Sequence, residues 1–133
     1  MIVIDASALV AHLLGEKNFE KYFYEELWSI DLLIKESTNA LIIAFRRGRI
    51  NENSLQICFK ALKKLSNIIE FESQAKILDD TSVIALEENL TIYDALYVAL
   101  AKKLNAKLLS LDKKQRKVAE KAEIPVVPYI SHL

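Results

Sequence analysis

The chain has little of what marks a secreted, membrane-spanning or disordered protein. Its 133 residues include one cysteine, two glycines and two prolines. The lone Cys58 excludes an internal disulfide framework and suits a reducing compartment, so a cytoplasmic protein is expected. Cys58 lies in an apolar helical pattern, which makes it a packing residue. So few glycines and prolines leave little room for linkers. No segment approaches the ~18 apolar residues needed to cross a bilayer. The start, MIVID, has no basic region of the kind that opens a signal peptide. Charge of one sign is missing as well. Eighteen basic and eighteen acidic side chains cancel, so any binding to phosphates must come from local clusters.

What is present is apolar: 52% of the residues are hydrophobic. That suffices for one well-filled domain over residues 1–133. The stretch from Thr91 to Asp112 organises it. Thr91 is a candidate N-cap. Tyr93, Leu96, Tyr97, Leu100 and Leu104 follow at helical spacing. Asn105 breaks the helix, and Leu108, Leu109 and Leu111 form a short run of the kind found in a buried strand. Asp112 comes next. A helix that feeds a parallel strand through a short loop runs antiparallel to it, so the helix start and the strand end share one edge. Asp94 and Asp112 are therefore expected near each other at the carboxyl edge of a sheet, where ligands bind in open α/β folds.

The rest of the chain repeats this alternation. Met1 to Asp5 reads as a buried strand ending in an acid, and Ala6 to Leu14 as a helix stopped by Gly15. Phe19 to Trp28 carries apolar residues at helical spacing. A third helix runs from Ile34 to Arg47, with Glu36 in its first turn. Its segment from Ala40 to Phe45 is apolar all round, which calls for cover on more than one side; a second copy of the chain is one candidate. Asn51 to Leu65 is helical and Ile68 to Phe71 reads as a second strand. Ser73 is a candidate N-cap for a helix reaching Glu88. A helix from Lys113 to about Ala122 and a strand from Ile124 to Ile130 close the chain. Its prolines at 125 and 128 favour a sheet edge. Strands separated by helices, with no hairpin signal, predict a parallel sheet covered on both faces, a three-layer α/β/α sandwich.

Four acids stand out: Asp5, Glu36, Asp94 and Asp112. Each has an ordinary explanation as a helix cap or first-turn acid. Together they suggest more. Carboxylates gathered at one edge repel and raise one another's pKa unless a cation offsets them. Hard oxygen donors suit Mg²⁺ or Mn²⁺. The pattern alone does not say which end of the sheet Glu36 faces. Asp31, Asp79 and Asp80 are expected to be solvated. His12 and His132 lack the spacing of a zinc pair, and His12 reads as structural. Two basic clusters are candidate phosphate contacts: Arg46, Arg47 and Arg49, and Lys113, Lys114, Arg116 and Lys117. A solvated helix surface is the plain alternative for both.

Three segments, VIDASALVAHLLGE, ESTNALIIAFRRGRI and LTIYDALYVALAKKLNAKLLSLD, resemble PIN-domain proteins of the VapC toxin type. The likeness spans nearly the whole chain. It implies a parallel sheet sandwiched by helices, RNA cleavage with Mg²⁺ or Mn²⁺ on Asp5, Glu36, Asp94 and Asp112, a homodimer, and inhibition by a VapB antitoxin. It also places Ser7 and Ser110 at small hydroxyl positions beside the site, and Asn39 at a polar position one turn beyond Glu36. Two departures concern the loop rather than the chemistry: no proline precedes Glu36, and Ser stands at 110 where Thr is commoner. The competing readings are an RNA-maturation nuclease of the same type and a non-enzymatic binding or regulatory module. A receiver-like domain fits poorly, because its acid pair would come early. Ala6-Ser7 after Asp5 argues against a DxD phosphatase.

Overall fold

The computed structural model describes residues 1–130; His132 lies outside them. Five short strands form one all-parallel sheet: β1 (Ile2–Ile4), β2 (Leu27–Ile30), β3 (Ile69–Glu72), β4 (Lys107–Leu109) and β5 (Val126–Val127). Their order is β3-β2-β1-β4-β5. Six helices connect them: α1 (Ala6–Leu13), α2 (Leu32–Arg46), α3 (Glu52–Ser66), α4 (Leu78–Glu88), α5 (Ile92–Leu104) and α6 (Lys113–Lys121).

Neighbouring strand residues point to opposite faces of a sheet. In β1 all three are 0% exposed, so helices cover both faces, as expected for a parallel sheet. On one side α5 lies across β1, β2 and β4, with α4 and α6 packed beside it. The helices α1, α2 and α3 pack on one another as a second group. From Ala95 to Ala101 every α5 residue is buried, which explains why its sequence is apolar on all sides. Its first turn is the exception: Tyr93, grouped by spacing with the apolar face, is exposed. Both α4 and α5 end on asparagines, Asn89 and Asn105, in the left-handed conformation. These take the place that glycine usually fills at a helix end.

Three expectations need correction. Phe19 to Trp28 is not a helix. Glu20–Tyr24 forms a 3-10 turn, and Leu27–Ile30 is a strand. The apolar spacing across 19 to 27 joins two elements, and buried Ser29 interrupts the run that would have marked the second. Its hydroxyl donates to Ile4 O at 2.7 Å. Ile69–Glu72 is accordingly the third strand. Ser73 makes no capping hydrogen bond; a 3-10 turn, Gln74–Ile77, precedes α4. The final strand is only two residues long, bounded by the prolines, and it does occupy an edge. Cys58 is buried. His12 is structural: Nδ1 accepts from Phe19 N at 3.0 Å and its ring packs edge-on against Phe23. No helix among the described residues is long and apolar enough to cross a membrane.

Candidate active site

Each of the four acids reaches the carboxyl edge by its own route. β1 and β4 pair with Ile4 opposite Leu109. The next residues, Asp5 and Ser110, therefore stand side by side. Asp5 is 0% exposed. Its Oδ1 accepts from Ser7 Oγ at 2.7 Å and from Ala8 N at 2.9 Å, and its Oδ2 accepts from Ser110 Oγ. It is thus both the N-cap of α1 and a buried acid. Ser7 and Ser110 are linked further: Ser7 Oγ accepts from Leu111 N, and Ser110 Oγ accepts from Asp112 N. Asp112 caps α6 through Gln115 N at 2.9 Å.

The strand that sequence periodicity missed is what places Glu36. α2 starts two residues after β2 ends, at Leu32 rather than Ile34, so its beginning lies at the same edge as Asp5 and Glu36 falls just past the first turn rather than in it. Glu36 caps nothing. It accepts from the hydroxyl of Tyr97, which is buried on α5. Thr91 caps α5 by accepting from Asp94 N. Asp94 does not return the bond as a capping box requires. Its Oδ1 accepts instead from Gln115 Nε2 at 3.1 Å.

The four acids fall into two repelling pairs. Burial pushes Asp5 up to about 6; the donors Ser110, Ala8 and Ser7 oppose this, and the Asp112 charge adds to it. Burial also raises Glu36, against the Tyr97 hydrogen bond and with help from the Asp94 charge. Tyr97 is raised by burial first and then by Glu36. Hard oxygen donors that repel one another fit the chemistry of a divalent cation. As the side chains stand, however, no three ligand-type groups among the described residues are close enough to hold one. Each carboxylate is instead turned onto a protein donor.

The other expected residues divide. Asn39 is exposed on α2 and bonds to none of the acids. Lys113, Lys114 and Lys117 are exposed on α6, and Lys114 Nζ donates to Asn89 O at 3.1 Å. Arg116, grouped with them by sequence, is buried and turned inward. Its guanidinium donates to Ser110 O at 2.7 Å and Pro128 O at 2.6 Å, which removes it from the phosphate-facing set. Arg46, Arg47 and Arg49 are exposed, and Arg49 is ion-paired with Glu16. A groove of about 370 Å³ between α1 and α2 has Ser7 and Glu36 among its lining residues at the site and Arg49 and Glu16 further along. Sequence reasoning missed Gln115 altogether. The available signal was a polar residue three positions past a cap aspartate, on the inward side of a helix.

A PIN domain family model matches residues 2–121. The chain belongs to the PIN domain family. This PIN domain is 36% identical over 132 residues to Ribonuclease VapC3 of Pyrobaculum aerophilum, covering 96% of this chain and 98% of that protein. The crystal structure of PAE2754 from the same organism aligns at a TM-score of 0.70 and 27% identity, covering 95% of this chain and 90% of that one. FitAcB from Neisseria gonorrhoeae aligns at a TM-score of 0.60 and 15% identity, covering 95% and 96%, and at that identity it bears on the fold alone. The three-layer parallel architecture expected from sequence is the one found.

Proposed function

We propose that this PIN domain is an endoribonuclease of the VapC type, dependent on Mg²⁺ or Mn²⁺ and acting as a cytoplasmic toxin restrained by a VapB-type antitoxin. Likeness to a protein named as a ribonuclease supports RNA as substrate. The observation that carries the reading is that Asp5 and Asp112 meet through Ser110 Oγ, that Gln115 bonds both Asp112 and Asp94, and that Glu36 is tied to the helix of Asp94 through Tyr97. Asp5 and Asp112 serve as helix caps, but acids whose charges raise one another's pKa lower stability unless a cation offsets them.

Asp5, Glu36, Asp94 and Asp112 are the residues that would hold the cation. The bound ion supplies a lowered pKa for an attacking water and offsets charge building on the phosphorus and leaving oxygen. The protein's own part is to aim and hold. Ser7 and Ser110 fix Asp5 against α1 and β4. Tyr97 fixes Glu36. Lys113, Lys114 and Lys117 sit beside Asp112 and contact phosphates. The groove from Glu36 towards Arg49 gives a strand a path away from the acids, and Arg46 and Arg47 are exposed at the end of α2. Along α2, Glu36 and Arg46 are ten residues apart, ~15 Å. The α2 surface also leaves Ile43 and Phe45 exposed while Leu41 and Ala44 are buried. Two positions apart on a helix, Ile43 and Phe45 point to different sides, so the homodimer rests on the family resemblance, and sedimentation tests it directly.

RNA cleavage that needs Mn²⁺ and stops with EDTA is expected. Asp94→Asn is expected to abolish cleavage and weaken Mn²⁺ binding without loss of metal-free stability. Mn²⁺ binding that survives this change would reduce Asp94 to a helix-start residue and overturn its role. Growth arrest on expression, relieved by an adjacent antitoxin gene, tests the toxin role.

A further inference from the structure

Gln115 belongs to the same site, though no acid-based reading includes it. It is 3% exposed on the first turn of α6. Its backbone N–H donates to Asp112 Oδ1 at 2.9 Å, and its side-chain Nε2 donates to Asp94 Oδ1 at 3.1 Å. One residue thus bridges two acids that arrive on different elements. Its remaining polar atom, Oε1, is buried with no hydrogen-bond partner among the described residues. A buried acceptor left unpaired is destabilising. Exchanging the amide's oxygen and nitrogen does not remove the problem, because that would set an acceptor against the Asp94 carboxylate. Core packing alone would be served better by an apolar side chain of the same size.

We infer that Gln115 is a positioning residue for the divalent cation: Nε2 sets the orientation of Asp94, and Oε1 is held ready for a hydrogen bond from the cation's bound water. This rests on the metal-site reading above, and it adds a neutral amide to a donor set of carboxylates. Amides and carbonyls that orient ligands commonly change metal affinity by about 10- to 100-fold.

The test is Gln115→Met, which keeps length and burial and removes both amide contacts. Mn²⁺ affinity of the intact protein is measured by calorimetry, and the Mn²⁺ dependence of RNA cleavage alongside it. An affinity loss of about tenfold or more is expected, with metal-free melting unchanged or raised and much of the cleavage rate recovered at saturating Mn²⁺. Wild-type affinity in the variant overturns the inference and leaves the nuclease reading standing; a wild-type protein that binds no Mn²⁺ overturns both. If the variant does not fold, the wild-type protein answers alone. The side-chain amide resonances of Gln115 are expected to shift on titration with Mg²⁺, and resonances that stay fixed while Mg²⁺ binds refute the role.

Discussion

Asp5→Asn is expected to stabilise the metal-free protein at neutral pH while removing its response to metal. Burial raises the Asp5 carboxyl from 3.8 to about 6 in the folded state. A group whose folded pKa lies above its unfolded value favours folding when protonated. Its contribution is fully present below the unfolded pKa and is lost as pH rises through the folded one. By pH 7 the ionised carboxylate therefore costs roughly 3 kcal/mol relative to acid conditions; at pH 4.5 it costs about 1 kcal/mol. Asparagine carries no charge to bury. It keeps an oxygen for Ala8 N and Ser7 but sets an amide against Ser110 Oγ, which now donates. Losing that hydrogen bond offsets about 1 kcal/mol.

The net expectation is near-equality with wild type at pH 4.5 and a gain of about 2 kcal/mol at pH 7. For a domain of this size that is a rise in Tm of roughly 6–8 °C. The assay is thermal melting in EDTA at the two pH values, repeated with Mn²⁺. A ligand at a hundred times its Kd stabilises by about 2.7 kcal/mol, so saturating Mn²⁺ is expected to bring wild type level with or above the variant. The variant itself should not respond. A variant that melts no higher than wild type at pH 7 refutes the electrostatic account of Asp5. So does an advantage of equal size at both pH values.

Arg116→Met is expected to lower stability by about 2–4 kcal/mol in denaturant melts, since the Ser110 and Pro128 carbonyls lose their charged donor. It should leave the salt dependence of RNA binding unchanged. Lys113→Ala and Lys117→Ala are expected to do the opposite, each reducing the slope of log affinity against log salt by about one with little change in Tm. Tyr97→Phe removes the donor that opposes the upward shift of Glu36, so the acidic limb of the pH–cleavage profile is expected to move to higher pH.

Much of the fold could be read from the chain because its strands are buried on both sides and its helices are long. Ile2 to Ile4 and Leu108 to Leu109 are unbroken apolar runs, each followed within a few residues by an acid, and α5 and α2 carry clear helical periods. Leu27 to Ile30 escaped because it contains Ser29, whose polarity is answered only by Ile4 O on the neighbouring strand. A partner distant in sequence is invisible to a periodicity argument. The missing cue was the shape of the segment: a short apolar run ending in an acid, Leu27 to Asp31, like Met1 to Asp5. Without β2, geometry could not tell which end of the sheet Glu36 faces, and only the resemblance placed it.

The site was legible as residues but not as contacts. Acids at strand ends can be picked out from the sequence, and so can the basic residues beside them. Which basic residue turns inward cannot. Arg116 and Lys117 are neighbours, yet one is buried against β4 and β5 while the other faces solvent, a difference set by the phase of α6. The same phase brings Gln115 beneath Asp94. The acids of this site are consequently not bare charges waiting for an ion. Asp5 is held by serines, Glu36 by a tyrosine, Asp94 by an amide, and each donor is one that a cation must displace or share. That makes metal affinity as much a property of Ser7, Ser110, Tyr97 and Gln115 as of the carboxylates. Removing an acid should therefore weaken binding and abolish cleavage, whereas removing a donor should tune both.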